Sequence, residues 1–261
     1  MKAFAIGDSF VEFCRDHHIP EIGFKTGYMK KTAIIVGATG LVGNELVKQL
    51  LQDNTYQKVK VLTRKSLKIT DDKLEELLID FDNLDNYQDF FAGSDDAFCC
   101  LGTTTKKSGK EGLYKVDFTY CHEFAKIAAQ KNVRQFLLIS SLGASADSRY
   151  YYSRVKAEIE EAVKKLPFST VHILRPSLLI GDRNEVRIME DLGRVFNAAF
   201  NTFIPNKYKG VKAKTVAIFM QKIAQKPGSG QFTHESNHIR KIAVSKFDFE
   251  SFSEHTEYKD L

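Results

Sequence analysis

Tyr152 and Lys156 have residue types and a spacing that suit proton transfer. On a helix, side chains four residues apart lie on one face, so the ammonium would stand beside the phenol. A neighbouring positive charge favours the phenolate. We therefore expect a lowered pKa for Tyr152, which would let it act as an acid or base near neutral pH. Ser141, which follows Ser140 at the end of an apolar run, is placed to hydrogen-bond a substrate carbonyl. Because many Tyr–Lys pairs with this spacing are ordinary surface residues, the position of this pair in the fold must decide its role.

A glycine-rich loop, GATGLVG at residues 37–43, follows a short apolar run and opens a segment with helical periodicity. Gly37 permits a tight turn, Gly40 lets the backbone approach a pyrophosphate, and Gly43 lets the helix pack closely on the strand. The helix N-terminus then directs free N–H groups at the phosphates. The loop predicts a bound dinucleotide, and a turn without a ligand is the alternative. The expected contacts are Gly37, Thr39, Gly40, Leu41, Val42 and Gly43.

The residues after the second and third predicted strands bear on which dinucleotide binds. Arg64 has a guanidinium whose shape matches the 2′-phosphate of NADP(H), whereas NAD sites tend to carry an acidic residue here. Arg64 and Lys65 could instead be a solvated basic pair at a strand end. Asp80 is placed to meet the adenine ring, but it could equally cap a helix. The sequence thus favours NADP(H) as the cofactor.

Strand and helix patterns alternate along the chain, which indicates a parallel sheet with crossover helices. Strands are predicted at residues 32–36, 58–63, 77–80, 97–101, 136–140 and 171–174, and helices at 41–52, 112–131 and 151–165. Beyond about residue 181 the pattern loosens, with helices predicted at 187–200 and 211–225 and a late strand at 231–234. The predicted fold class is α/β, a Rossmann-type doubly wound parallel sheet with a small C-terminal substrate lobe.

Composition excludes several classes of protein. Residues 1–30 show no clear period and are interpreted as an N-terminal extension, either a helix or a segment outside the core, whereas residues 31–261 form the Rossmann domain and its lobe. The net charge is +5 with both signs interspersed, so no nucleic-acid patch is indicated. The four cysteines have no zinc spacing, and no segment has the ~18 apolar residues of a membrane span. We expect a cytoplasmic protein without a metal site or an integral membrane association.

Taken together, these motifs resemble a short-chain dehydrogenase/reductase of the extended or atypical group. The matching runs are GATGLVG, Thr63-Arg64, Asp80-Phe81, Cys100 to Thr104, Ser140-Ser141, Tyr152 with Lys156, and Arg175-Pro176-Ser177. The run AFCCLGTTTKKSGKEG at 97–112 and the following Tyr114 to Asp117 resemble the Tat-interacting oxidoreductase branch more narrowly. Members of that branch bind NADPH.

The resemblance implies a hydride-transfer site. Tyr152 would be the general acid/base, Lys156 its activator and ribose anchor, and Ser141 the carbonyl orienter. Further cofactor contacts would be Asp80 and Phe81 at the adenine, Leu101, Gly102 and Thr103 at the central part, and Pro176 to Leu178 at the nicotinamide amide. Many family members carry Asn in the helix after the fourth strand, where it supports a proton relay, but Asp117 stands there in this sequence. The substitution puts the relay in doubt.

Two functions follow from these observations. The first is an NADPH-dependent oxidoreductase acting on a small carbonyl or alcohol substrate, and a homodimer through the helices beside the fourth and fifth strands is implied by the family. The second is an NADPH-binding regulatory or partner-binding protein with little turnover.

Two further groups have simpler interpretations. Glu158, Glu160 and Glu161 are interpreted as a solvated acidic face, and His172 is interpreted as a packed or edge histidine.

Overall fold

The computed structural model describes residues 30–181, 209–226 and 228–244. Contacts divide the chain after Lys30, and every element below belongs to the unit Lys31–Leu261. The predictions for the N-terminal extension and for a helix at 187–200 lie outside the described residues. None of the helices in the described ranges is long and apolar enough to cross a membrane.

Within the described ranges, seven parallel strands form the main sheet, in the order β3-β2-β1-β4-β5-β6-β9. The strands are β1 Lys31–Val36, β2 Tyr56–Thr63, β3 Leu74–Leu78, β4 Asp96–Cys99, β5 Gln135–Ile139, β6 Thr170–Arg175, β7 Leu179–Ile180, β8 Val211–Lys212 and β9 Gly230–Glu235. β7 and β8 pair separately as a short parallel ribbon. The strand order reverses between β1 and β4, and ligands of doubly wound sheets bind at such a switch point, beyond the carboxyl ends of the strands.

Helical segments cover both faces of the sheet. They are α1 Leu41–Gln52, a 3₁₀ segment Phe81–Phe91, α2 Thr105–Tyr114, a π-helical segment Lys115–Tyr120, α3 Cys121–Gln130, α4 Tyr151–Lys164, α5 Ala213–Ala224 and α6 Ser236–Val244. Ile35 packs with α1 and α5 in one core, whereas its neighbours Ile34 and Val36 pack with α3 and α4 in the other. Successive strand residues point to opposite faces, so one apolar run serves both cores. The predicted Rossmann-type fold is confirmed.

Three predicted elements differ from the structure. The helix predicted at 112–131 begins earlier, at Thr105, where Thr104 accepts a hydrogen bond from the amide of Lys107. It is interrupted at Gly109, whose φ of 69° lies in the left-handed region, and by the π-helical segment. The third strand ends at Leu78 because Asp80 already caps the 3₁₀ segment. A two-residue strand, β8, precedes α5, which begins at Ala213 instead of residue 211.

The described residues after 209 belong to the main core. β9 pairs with β6 over six residues and is the outer strand of the sheet. Phe219 and Met220 of α5 are buried beside α1. Residues 213–224 and 230–235 therefore pack with the main sheet, and a lobe beginning at about residue 181 stays a prediction. Residues 182–208 lie outside the described residues.

Candidate cofactor and active site

The glycine loop holds the ends of β1 and β4 against each other. Gly37 has a φ of +80°, and a Cβ there would lie 2.4 Å from the carbonyl carbon of Cys100. A Cβ on Gly43 would lie 2.3 Å from the carbonyl oxygen of Gly37. Side chains at these two positions would collide with backbone, so the tight turn and the close helix–strand contact both require glycine.

The N-terminus of α1 opens into a cavity. Gly40 occupies the N-cap and has no side chain to cap the first amides of the helix. Gly40, Leu41 and Val42 line a cavity of about 450 Å³. Unpaired first-turn N–H groups and the positive end of the helix dipole favour a phosphate at this position. The cradle therefore fits the pyrophosphate of a dinucleotide.

Most of the predicted site residues line this one cavity. They are Gly40, Leu41, Val42, Leu101, Gly102, Thr103, Ser141, Tyr152, Lys156, Pro176 and Leu178. Sequence reasoning omitted some lining residues from the predicted site: Cys100, Thr104, Lys106, Lys107, Ile139, Ser140 and Leu179. Cys100 and Thr104 follow β4, whereas Ile139 ends β5 and Ser140 follows it, so their position at the carboxyl edge of the sheet was the signal that could have found these four. The cavity lies at the predicted crevice.

Seven predicted cofactor residues are not among the described residues that line the cavity: Gly37, Thr39, Gly43, Arg64, Lys65, Asp80 and Phe81. Arg64 and Lys65 are exposed beyond the end of β2. The Asp80 side chain accepts hydrogen bonds from the Asp82 amide at 3.0 Å and from Asn83 at 2.8 Å. Asp80 therefore caps the 3₁₀ segment, as the alternative interpretation had it. Phe81 is buried, with its ring centroid 5.2 Å from that of Tyr120.

Tyr152, Lys156 and Ser141 meet at the other end of the cavity. α4 begins at Tyr151, so Tyr152 and Lys156 lie on the same helix face, and the Nζ of Lys156 is 5.9 Å from the centroid of the tyrosine ring. A hydrogen bond joins Ser141, at the end of β5, to Tyr152. Lys156 is 2% exposed and donates to the carbonyl of Ile139 at 3.3 Å. The fold thus brings the three predicted catalytic residues together.

Asp117 occupies the relay position in the π-helical segment. Its Oδ1 lies 2.7 Å from the Nζ of Lys156, and its Oδ2 accepts the amide of Thr103 at 2.8 Å. Both partners of this ion pair are buried. π-Helical turns are frequent at functional sites, and this one carries the carboxylate that joins the end of β4 to α4.

The pKa of Tyr152 is raised, so the lowered value expected from the sequence is wrong for the protein without cofactor. Burial is the main cause, and it outweighs the opposite influence of Lys156. Asp117 also raises this pKa, whereas the hydrogen bond from Ser141 lowers it. For Lys156, burial favours the neutral amine, but the charge of Asp117 and its other neighbours raises the pKa overall. Lys156 is therefore a charged, compensated ammonium.

Behind the cavity, the buried carboxylate of Glu160 forms a second ion pair, with the partly exposed Arg175. This carboxylate accepts Nη2 of Arg175 at 2.6 Å and Nε at 3.0 Å, and it also accepts the hydroxyl of Ser140. Arg175 reaches Glu235 of β9 at 3.2 Å as well. The interpretation of Glu160 as part of a solvated face is therefore wrong, because this residue faces the sheet and its positive partner comes from β6.

His172 is packed, as the sequence indicated. Its Nδ1 lies 3.0 Å from Nε2 of His234, and its ring stacks on Phe232 with centroids 5.1 Å apart. Burial lowers the pKa of His172 to about 4. The pair joins β6 to β9 and is neutral at physiological pH. No group of three potential ligand side chains in the described residues has the arrangement of a metal site.

Comparison with known proteins agrees with this geometry. The family described as NAD(P)H-binding matches residues 37–225. Rat Protein HTATIP2 is 36% identical over 204 residues, which cover 77% of this chain and 84% of that protein. Protein FMP52-1, mitochondrial, from Scheffersomyces stipitis is 28% identical over 203 residues, 72% of this chain and 86% of its own.

Solved structures share the fold at low sequence identity. The oxidoreductase ylbE from Lactococcus lactis has a TM-score of 0.62 at 18% identity and covers 88% of this chain and all of its own. MoeE5 in complex with UDP-glucuronic acid and NAD has a TM-score of 0.61 at 17% identity, covering 77% of this chain and 75% of its own. The chain belongs to the NAD(P)H-binding family. Within it, the chain is an atypical short-chain dehydrogenase/reductase that resembles the HTATIP2 branch.

Proposed function

We propose that the protein is an NADPH-dependent oxidoreductase acting on a small carbonyl or alcohol compound. One observation carries this proposal: Ser141, Tyr152 and Lys156 converge in the cavity that also receives the uncapped N-terminus of α1. A dinucleotide with its pyrophosphate at the helix and its nicotinamide beside Tyr152 would span this cavity.

The residues present fit the cofactor. The first turn of α1 would hold the pyrophosphate, Lys156 would hold the nicotinamide ribose, and residues 176–178 would meet the nicotinamide amide. When bound, the cofactor supplies the hydride. Ser141 would then orient the substrate carbonyl by donating a hydrogen bond to its oxygen, and Tyr152 would donate the proton to that oxygen. Apolar lining from Ile139 and Leu179 would keep water from the reacting atoms.

The preference for NADPH over NADH rests on Arg64. Arg64 is exposed after the end of β2, and an arginine that follows the second strand of such folds can accept a 2′-phosphate. Titrations followed by cofactor fluorescence should give tighter binding of NADPH. Arg64→Gln should weaken NADPH binding about 10–100-fold, as expected for the loss of a hydrogen-bonded charge. The affinity for NADH should not change. Arg134→Gln, an exposed arginine at the amino edge of the sheet, is the control. Equal affinities of the wild type for both cofactors would refute the role of Arg64.

Turnover is tested by a panel of aldehydes and ketones with NADPH. We expect at least one to be reduced by the wild type and not by Tyr152→Phe. A carbonyl that both proteins reduce equally well would show that Tyr152 is not the acid.

A regulatory protein that binds NADPH with little turnover is the second candidate. Asp117 favours it, because this carboxylate already neutralises the lysine that should activate Tyr152. Tight NADPH binding together with no reduction across the panel would support this candidate over the enzyme.

The assembly and the location are also proposals. We propose a homodimer through the helices beside β4 and β5, where Tyr114 of α2 stacks on Phe118 of the π-helical segment with centroids 4.8 Å apart. Light scattering at several concentrations would give the mass, and a monomer throughout would end this proposal. Location in the cytoplasm stays a prediction, whereas the name of the Scheffersomyces relative places that protein in mitochondria. Fractionation of cells producing the full chain would decide between the two.

A further inference from the structure

Asp117 contacts both chain segments that form the reactive end of the cavity. One carboxylate oxygen pairs with Lys156 of α4, and the other accepts the amide of Thr103 after β4. A Cβ on Gly102 would lie 3.5 Å from Oδ1 of Asp117, so the loop packs directly over the carboxylate. Asp117 is wholly buried and Lys156 nearly so. The position of the ammonium is therefore set by a fixed negative charge and not by solvent.

This ion pair has consequences for the neighbouring phenol. The groups that act on Tyr152 come from four parts of the fold. They are Lys156 on α4, Asp117 on the π-helical segment, Cys121 at the start of α3, and Ser141 after β5. An ammonium alone would stabilise the phenolate. The ion pair that it forms with a carboxylate at 2.7 Å has no net charge. In a buried site of low polarity, little remains to stabilise a second negative charge.

We propose that Asp117 is a positioning residue that, together with burial, keeps Tyr152 protonated by opposing the charge of Lys156, so that the site is in the form needed for carbonyl reduction at neutral pH. This inference rests on the proposed oxidoreductase function. In the reduction, the carbonyl carbon accepts the hydride, the π electrons of the C=O bond move to oxygen, and that oxygen takes the proton from Tyr152. The O–H bond of the phenol breaks, and water reprotonates the phenolate. Oxidation of an alcohol needs the phenolate at the start, and Asp117 disfavours that form.

The first test needs neither cofactor nor turnover. Protein carrying ¹³Cζ-labelled tyrosine is titrated by NMR, and the Tyr152 resonance is assigned by its loss in Tyr152→Phe. We expect Asp117→Asn to move the titration of this resonance to a midpoint about one pH unit lower or more, the size of effect that a nearby charge produces. Asn can still accept the amide of Thr103, so the loop keeps its hydrogen bond. An unchanged titration of Tyr152 would overturn the proposal.

A matched control is available at Asp82. This carboxylate also contacts a lysine and a tyrosine, Lys115 and Tyr120, but half-exposed on the outer surface. Asp82→Asn should leave the Tyr152 resonance unaffected. If Asp117→Asn fails to fold, Asp117→Ser provides a smaller acceptor for the same measurement. A change in the Tyr152 titration in Asp82→Asn equal to that in Asp117→Asn would show a general charge effect and would contradict the assignment.

The second test measures both directions of reaction against pH. In the wild type, reduction should persist into alkaline pH and oxidation should rise only there. In Asp117→Asn the rise in oxidation should begin at lower pH. At neutral pH, kcat for oxidation should then increase about tenfold for each pH unit by which the profile moves, and the KM values should change as the fixed overall equilibrium requires. Identical pH profiles would refute the proposal. If no substrate turns over at all, the oxidoreductase function fails, and the NMR titration still decides the role of Asp117.

Discussion

Two clusters in this protein contain the same three residue types at opposite edges of one sheet. At the carboxyl edge, Tyr152, Lys156 and Asp117 line or adjoin the cavity. At the amino edge, Tyr56 donates to Asp96 at 2.6 Å, and Lys31 pairs with the same carboxylate at 3.0 Å. Tyrosine is held protonated in both places, because burial raises the pKa of Tyr56 as it does that of Tyr152.

The amino-edge cluster differs in being closed. Lys31, Tyr56, Asp96 and Gln135 are the first residues of β1, β2, β4 and β5. Gln135 donates to Asp96 at 3.0 Å and to the carbonyl of Ala224 at 3.0 Å, and Lys31 donates to that carbonyl at 2.8 Å. The cluster thus caps the end of α5, and each of these four side chains has a hydrogen-bond partner within the protein. Residue types alone do not make a site. The same residue types form a candidate site only where a cavity lies beside them and a ligand can reach the phenol.

The largest expected effect separates the two tyrosines. Tyr152→Phe should lower kcat by about 10²–10⁴-fold, the usual contribution of a positioned acid, and change the free energy of unfolding by about 1 kcal/mol or less. Tyr56→Phe should leave kcat unchanged and lower the free energy of unfolding by about 1–3 kcal/mol, because Asp96 loses a buried donor. Steady-state kinetics and urea denaturation give both values. A matching loss of kcat in Tyr56→Phe would remove the distinction between the clusters.

The second prediction concerns the acceptor of the closed cluster. Asp96→Ala leaves Tyr56, Gln135 and Lys31 without their shared carboxylate and should destabilise the protein by about 3–5 kcal/mol. Urea denaturation measures the loss, and NADPH affinity should survive below the transition. Asp85→Ala, an exposed carboxylate in the 3₁₀ segment, should change stability by about 0.5 kcal/mol or less. If Asp96→Ala and Asp85→Ala have the same free energy of unfolding, the network around Asp96 does not contribute to stability.

A second closed cluster, His172 with His234, should make stability depend on pH. The unfolded chain binds the proton near the ordinary pKa of 6.5, whereas folded His172 binds it only near 4. The contribution of His172 to the free energy of unfolding is therefore fully present above pH 6.5. It is lost as the pH falls toward 4, and the loss for this group is about 3 kcal/mol. Burial lowers the pKa of His234 as well, and its effect has the same sign.

The measurement for the histidines is urea denaturation between pH 4 and 7. His172→Gln should flatten the dependence on pH, whereas His122→Gln, a partly exposed residue of α3, should keep the wild-type slope. Equal slopes for the wild type and His172→Gln would contradict the prediction.

The smallest effect is expected at Glu160. Its carboxylate is buried, as in the closed cluster, but it also adjoins the cavity through Ser140. Glu160→Gln should destabilise by about 1.5–3 kcal/mol, because Arg175 loses its charged acceptor but keeps Glu235. KM should change only slightly. Glu161→Gln, which removes an exposed partner of Lys164 on the same helix, should cost about 0.5 kcal/mol or less. Thermal denaturation of the two variants measures both losses of stability. Equal losses would show that Glu160 contributes no more to stability than an exposed glutamate.

Much of the fold and site followed from local sequence. The strand after residue 31, the glycine loop and α1 are adjacent in the chain, and their glycine spacing and apolar periodicity specify one arrangement. Tyr152 and Lys156 share a face simply because they are four residues apart on α4. The residues after strand ends could be assigned to one cavity because parallel strands deliver their carboxyl ends to the same edge.

What the sequence determined by itself was therefore the repeating strand–helix pattern, the phosphate-binding turn and the phenol–ammonium pair. Only the tertiary structure decided the partners of the charged groups. Asp117 meets Lys156, Glu160 meets Arg175, and Asp96 meets Lys31 across 39, 15 and 65 positions of the chain. Periodicity reports which face of an element is apolar, but the partner of a buried charge is set by how separate elements pack, and the protonation state of Tyr152 depends on that packing.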